Sequence, residues 1–580
     1  MIARTTNLIL LITISLVYAT INEPVQATES KTWINLCIEH NEKYKTTLTF
    51  PYLDPQGGNL KVLVNNQQLD GCDSAVLPVN IKQVNWLRLI NHDLAKRIDK
   101  TIILQGVQTE NELTVSEIIL LPEKSSKINK KPLTSLPINR NLVPDFSFLP
   151  FGSEQRASVE HNGDSIVLFC NMGDKHAGLK MHIRNARLPQ GIKPHLSLNY
   201  RSTQAFSISI SDALRNQNEN PLHIKDLKVA QHLRQKKINI PYPKIDSKTE
   251  ISWSLHCPSG EAQFTLASLQ LEAPPSKKET IRGIWVWEPN AWINTPHRLL
   301  KKIKSANAKE VYISIPVNLI TNKIPKQNAL ATFINNAFME NISVWAVEGD
   351  PHAVIKDQRT IFIQRAKIYA AYNSRIKKES RLKGIQYDIE PYLMPGYALD
   401  ESLWITAYVQ TVTALSQASS LPIDIVIPFW WNKQQLQGKY FLDKLAPYIE
   451  RVTVMNYRTD TNQLRKFAEP FLTWGDNQKR KIRIAIELGL IKDELRWHYQ
   501  SSDSGQLWLL QIKNQYLLLL LNTARINPYG KQYKLVRSST ALGKNISFYN
   551  DLDKLLHILP ELENNWMPYR FYDGLSLHGL

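Results

Sequence analysis

Two carboxylates, Asp388 and Glu390, close the run Lys383-Gly384-Ile385-Gln386-Tyr387-Asp388-Ile389-Glu390 just ahead of Pro391. The alternation is that of a strand, in which successive side chains point to opposite faces. Gln386, Asp388 and Glu390 then share one face, and Ile385, Tyr387 and Ile389 the other. Burying two acids side by side is costly unless they act. Like-charge repulsion raises a carboxyl pKa, so Asp388 is expected to keep Glu390 protonated. That is the equipment of a general acid. With apolar platforms for sugar rings beside it, such an acid suits cleavage of a glycosidic bond.

The surrounding sequence shows what could hold these groups. After Pro274-Pro275-Ser276-Lys277-Lys278, strand-like runs alternate with amphipathic helical ones, the pattern of a parallel sheet covered by helices. Eight runs read as strands: 283–288, 310–315, 342–348, 384–390, 423–430, 451–457, 482–487 and 572–578. Eight is the count of a (β/α)8 barrel, whose chemistry gathers at the C-terminal strand ends. Those ends carry Glu288, Glu348 with Asp350, Asp388 with Glu390, Asn456 with Tyr457, Glu487 and His578, with Trp287, Trp430 and Trp431 nearby. Ala346 and Ala485 read as small inward residues that leave room for a ligand. The catalytic candidates are Glu390, Asp388 and Glu487. The substrate-binding candidates are Tyr457, Asn456, Trp430, Glu348, Asp350, Glu288 and His578. Residues 489–571 read as a hairpin-bearing insertion before the last strand. Close Cys or His pairs are missing, so neither a metal nor a cofactor is expected.

At 580 residues the chain is long enough for several domains. The expected class is multidomain, with N-terminal all-β domains followed by an α/β TIM barrel. Residues 28–123 read as a β-rich domain, a basic stretch near 124–137 as a linker, and 138–273 as a β-sandwich or jelly roll. The barrel is placed at 281–580, and residues 276–580 are expected to fold alone. Arg4 and the apolar run 8–17, followed by small-residue cleavage sites at Ala19 and Ala27, read as a signal peptide over 1–27. A secreted or periplasmic protein follows, with no transmembrane segment after cleavage. Export makes disulfides plausible among the four cysteines. The pairing that keeps each bond within one domain is Cys37–Cys72 with Cys170–Cys257. A formal net charge of +18 favours an acidic partner. The partner expected from the site is an oligo- or polysaccharide, anionic or neutral, and no nucleic acid is expected.

Several short motifs carry family resemblances. Residues 383–390 resemble the D-G-x-D-x-D-x-E strand of chitinase-like glycosidases: Gly384, Asp388 and Glu390 match, while Lys383 and Gln386 replace the first two aspartates. Met455-Asn456-Tyr457 resembles that family's M-x-Y strand, with Arg458 where an Asp often follows. His578 stands near the place of the family's last-strand Trp. Asp388-Ile389-Glu390-Pro391-Tyr392 and Glu348-Gly349-Asp350-Pro351 resemble a bacterial group of secreted glycosidase-like barrels, over residues 281–580 only. The resemblance implies Glu390 as general acid, with Asp388 and Tyr457 holding a substrate N-acetyl group. Placement on strands four and seven also resembles retaining glycosidases, with Glu390 and Glu487 as the pair, about 5–5.5 Å apart. Two rivals remain: a non-catalytic sugar-binding barrel, and a cell-envelope scaffold. The opening 141–148 and the closing strand of the second β segment resemble carbohydrate-binding jelly rolls.

Overall fold

The computed structural model describes residues 133–579 apart from 153–155, 163, 175, 213–222, 241–248, 277–279, 395–396, 398–400, 513–514 and 528–529. Before residue 133 it describes Ile98 and seven strands between Ile34 and Leu121. The signal peptide and the Cys37–Cys72 pairing lie outside the described residues. Among the described residues, no helix is long and apolar enough to cross a membrane.

Eight parallel strands close into a barrel: β1 (Ile281–Val286), β2 (Glu310–Ile313), β3 (Ser343–Glu348), β4 (Ile385–Tyr387), β5 (Ile423–Pro428), β6 (Arg451–Met455), β7 (Lys481–Glu487) and β8 (Tyr572–His578). All eight strands expected from the sequence are there, in order. They read as near-continuous apolar runs because both faces are covered, one by helices and one by the barrel's own filling. Ile284, Ala346, Ile385, Ile389, Ile425, Val452 and Ile484 face the helix layer. A second cluster, Trp285, Tyr312, Trp345, Val347, Val426, Met455 and Ala485, fills the lumen. Beneath it lies an ion cluster in which Arg451 and Arg483, 2% and 0% exposed, meet Glu310, Asp424 and Asp573.

The segment before the barrel is a sandwich of two five-stranded antiparallel sheets around Leu168, Leu198, Trp253, Leu255 and Phe264. Cys170 ends a strand of one sheet and Cys257 follows a strand of the other, so their disulfide staples the two sheets across 87 residues. This is the expected partner for each. Replacing both by Ala should destabilise the sandwich by about 2–5 kcal/mol. Thermal melts with and without reductant would check it: an unchanged transition would leave the bond no structural role. The sandwich docks on the barrel helices Thr461–Gln478 and Leu552–Trp566. Arg187 pairs with Glu469, which also accepts from the Gln190 amide at 2.7 Å, and the Ile138 amide donates to Asn565 Oδ1 at 2.6 Å.

The insertion does more than form a hairpin. Its four strands, Glu494–Ser501, Gly505–Ile512, Gln515–Arg525 and Gly530–Ala541, join three from the start of the chain in one seven-stranded sheet. Gln515–Arg525 pairs with Val84–Ile90, and Glu494–Ser501 pairs with Thr101–Gln108. This runs against independent folding of residues 276–580. Cut free, that fragment would bare two strand edges and the buried leucines 517–521. The fragment should therefore aggregate, and co-expression with residues 28–132 should recover a soluble complex. A monodisperse fragment on size exclusion would refute this.

Candidate functional site

Strand register decides which candidates can meet. Trp285 on β1 pairs alongside Tyr312, which pairs alongside Trp345, and all three lie in the lumen. Val347 is level with Gln386, so Gln386 and then Asp388, two residues on, also face inward. The β4 ladder stops at Tyr387, but the extended path continues, since the Asp388 amide still donates to Glu348 O at 2.7 Å. By the same parity Tyr457 follows Met455 inward, Glu487 follows Ala485, and His578 follows Ser576.

The remaining candidates fall on the other side. Trp345 and Val347 point inward, so Ala346 points to the helices, contrary to the expected inward-facing alanine. Glu348 goes with it: buried, it pairs with Arg365 Nε at 2.7 Å and accepts from Tyr369 on the helix Lys356–Arg375. Asn456 is fully buried and donates to Leu464 O at 2.7 Å, tying the strand end to the next helix. Asp350 accepts from the His352 amide at 2.8 Å and caps the turn Pro351–Val354. Glu288 is exposed at the start of a short helix, with no side-chain cap bond.

Around Asp388 and Glu390 the chemistry is concentrated. Asp388 Oδ1 is buried and, among the described residues, has no hydrogen-bond partner. Burial, and then the charge of Glu390, push its carboxyl well above the usual range. Glu390 is half-buried and accepts from the Tyr392 hydroxyl. A phenol donating to a carboxylate favours its charged form. Asp388, its carboxyl raised, thus stands beside a Glu390 that has a hydroxyl donor at its side.

Gln386 sits directly below and is locked at both ends. Its Oε1 accepts from Trp285 Nε1 at 2.5 Å, and its Nε2 donates to Asp424 Oδ2 at 2.7 Å. Trp430 is 51% exposed and packs edge-on to Tyr392, with ring centroids 5.3 Å apart. Trp431 is buried and stacks on Tyr397, so of the two tryptophans only Trp430 offers a free face. On the other wall Tyr457 stacks with His578 at 6.0 Å. Trp287 Nε1 lies 3.4 Å from His578 Nε2, and His578 Nδ1 lies 2.8 Å from Glu487 Oε2. Indole N–H can only donate, which makes Nε2 the acceptor and puts the imidazole proton on Nδ1, facing Glu487. Glu487 Oε1 accepts from the Gly489 amide at 2.6 Å, so both its oxygens are engaged. Gly349 allows the close approach of these walls: a Cβ there would lie 2.9 Å from the Trp287 ring and 3.2 Å from Asp388 O.

Tyr392 is the residue bonded to Glu390 that reading by residue type left out of the candidate site. Its signal was its place two residues beyond Glu390, in the turn that Pro391 starts.

No protein-family model matches the sequence, and no curated protein does. Solved structures do resemble it. The spore cortex-lytic enzyme SleL of Bacillus cereus is 10% identical, with a TM-score of 0.30 over 54% of this chain and 73% of that one. A class V chitinase mutant from Cycas revoluta, in complex with (GlcNAc)3, is 11% identical, with a TM-score of 0.29 over 51% and 94%. The CBM22-1-GH10 modules of xylanase 10B from Clostridium thermocellum, complexed with xylohexaose, are 13% identical, with a TM-score of 0.23 over 61% and 80%.

Proposed function

We propose that the barrel is a glycoside hydrolase acting on a cell-envelope or extracellular polysaccharide, with Glu390 delivering a proton to the leaving sugar oxygen. The observation that carries this reading is the coupled pair at the lumen mouth. Among the described residues, one buried oxygen of Asp388 has no partner, and Glu390 beside it is bonded to Tyr392. Two like charges in a confined apolar site do not both ionise, so one proton stays with the pair at neutral pH. Glu390 passes it on, and Asp388 holds it between turnovers. Trp430 and Tyr457 flank the pair as ring platforms, and the Trp287–His578–Glu487 chain fixes the far wall. Glu487, with both oxygens engaged, serves as an orienting group for His578. A signal peptide over 1–27 and the Cys170–Cys257 bond accord with an exported protein.

One observation favours the rival reading as a sugar-binding barrel. Gln386 is committed to Trp285 and Asp424 and offers no acid beneath the pair. Reducing-end release from a panel of N-acetylated, neutral and acidic glycans separates the two. Hydrolysis of any glycan supports the enzyme; binding without hydrolysis of any would hand the site to the lectin reading.

Asp388 also predicts a stability trade. Its folded pKa is raised, so between the unfolded and folded values the native state holds more protons. Stability therefore falls as pH rises through the folded value. Asp388→Asn removes that loss. The variant should melt progressively above wild type as pH rises beyond the usual carboxylate range, while its activity drops and the acidic side of its pH profile moves. Parallel melting curves over that rise would sink the assignment.

A further inference from the structure

We infer that the insertion sheet gives the barrel mouth a basic rim and that the glycan held there carries anionic groups, carboxylate or sulfate. The inference rests on the glycosidase reading and names the substrate class for it.

The rim starts at the site itself. Arg458 directly follows Tyr457. Its guanidinium lies 4.5 Å from the Phe429 ring centroid and 5.8 Å from that of Phe467, and it donates to Tyr457 O at 2.6 Å. The next residue, Thr459, donates to Lys544 O at 2.8 Å, and the neighbouring Gly543 amide donates to Asp493 Oδ1 at 2.7 Å. The loop beyond Tyr457 is thereby tied to the root of the strand Glu494–Ser501. On one face of that strand stand Arg496, exposed, and His498, half-buried, while Trp497 points into the opposite core. Arg537 on the neighbouring strand is exposed and level with His498 in the register.

These charges feel one another. Burial, then the fields of Arg537 and Arg496, hold His498 below its ordinary value. Burial, then Arg496, lower Arg458 as well. The acids nearby each have a hydrogen-bond partner, and the one on the Arg496 face is linked to Arg496 through Gln105, whose Oε1 accepts from Arg496 Nε at 2.5 Å. Glu494 accepts from Gln105 Nε2 at 2.6 Å, Asp493 takes the Gly543 amide, and Asp460 caps the helix Thr461–Gln478. Among the described residues, no carboxylate ion-pairs directly with Arg458, Arg496 or Arg537; Arg458 and Arg496 donate to the neutral Tyr457 O and Gln105 Oε1. Neighbouring like charges on a sheet face are destabilising. An anion bridging them would reverse that, and the planar Arg fork suits both carboxylate and sulfate.

The test uses the full chain carrying Glu390→Gln, so that binding is read without turnover. Isothermal titration compares hyaluronate with its carboxyl-reduced form and dextran sulfate with dextran, at about 0.15 M salt, where distant surface charges are screened. At least one anionic polymer should bind about tenfold or more tighter than its neutral counterpart, as expected for one or two charge-assisted bonds. Arg496→Gln/Arg537→Gln should remove most of that gap. Lys301→Gln/Lys367→Gln, which lowers the net charge equally on exposed helix positions away from the rim, should leave it. Equal binding of charged and neutral polymers overturns the inference. So does an equal loss in the lysine control, which would reduce the effect to net charge. Failure of the hydrolase reading shows separately, as no cleavage of any polymer by the chain with Glu390 intact, and leaves an anion preference of the rim in place.

Discussion

Glu390→Gln should lower hydrolysis of a glycan substrate by about 10²–10⁴-fold, the usual contribution of a positioned general acid, and leave its binding unchanged. The amide keeps the volume and the Tyr392 contact but has no proton to give. The loss should fall on kcat, with KM little moved, because the missing interaction is one made only as the leaving oxygen gains charge. Tyr392→Phe provides a graded companion. It removes the hydroxyl that donates to Glu390 and keeps the ring against Trp430. A smaller fall is expected, together with a shifted pH profile, since Glu390 would lose the donor that steadies its charged form. Wild-type turnover in Glu390→Gln would remove Glu390 from the chemistry. A loss confined to KM would make it a binding group.

The barrel was readable because its eight strands are apolar runs separated by helical ones, and because Asp388 and Glu390 are polar where such a strand should not be. Which face each neighbour takes was harder to read. A strand covered on both sides has no polar face to mark the outside, and a one-residue error in parity flips every side chain. Ala346 looked like the residue that makes room, yet Trp345 and Val347 fill the lumen, so Glu348 turns to Arg365. Asn456 fails for the same reason, since Met455 and Tyr457 take the inward positions. The clue was present at the other ends of the strands. Glu310, Arg451 and Arg483 are charges inside apolar runs. Counting in twos from Arg451 and Arg483 reaches Met455 and Tyr457 on one strand, and Ala485 and Glu487 on the other. The pairing of residues 84–90 with 515–525 had no local trace at all, because nothing in either run specifies a neighbour more than four hundred residues away. The Cys170–Cys257 bond was legible because both cysteines fall in one strand-rich segment.

Arg483→Met should destabilise the barrel by about 3–5 kcal/mol, the usual result of breaking a buried ion network from one side. Arg483 is fully buried. It bonds Asp573 Oδ2 at 2.7 Å and also Glu310, which Arg451 contacts at 3.0 Å. Although burial opposes it, Arg483 and Arg451 together hold Glu310 down to about 2. Without Arg483, Glu310, Asp424 and Asp573 share Arg451 alone, and two carboxylates are left in the barrel floor without an adequate counter-charge. A depressed carboxyl pKa contributes stability that is present above its unfolded value and is lost as pH falls from there toward about 2. Wild type loses that contribution on acidification. The variant instead gains relief as Glu310 protonates. The gap between their melting temperatures should therefore be widest near neutral pH and close as pH drops through the carboxylate range. Arg483→Met with Glu310→Gln should recover part of the loss, because it removes a charge left without its partner. The effect should also reach the site. Asp424 anchors Gln386, and Gln386 holds Trp285 beneath Asp388, so a loosened floor lowers activity even at temperatures where the fold persists. A constant melting gap across pH, or a double variant no better than the single one, would show that the cluster does not act through its charges.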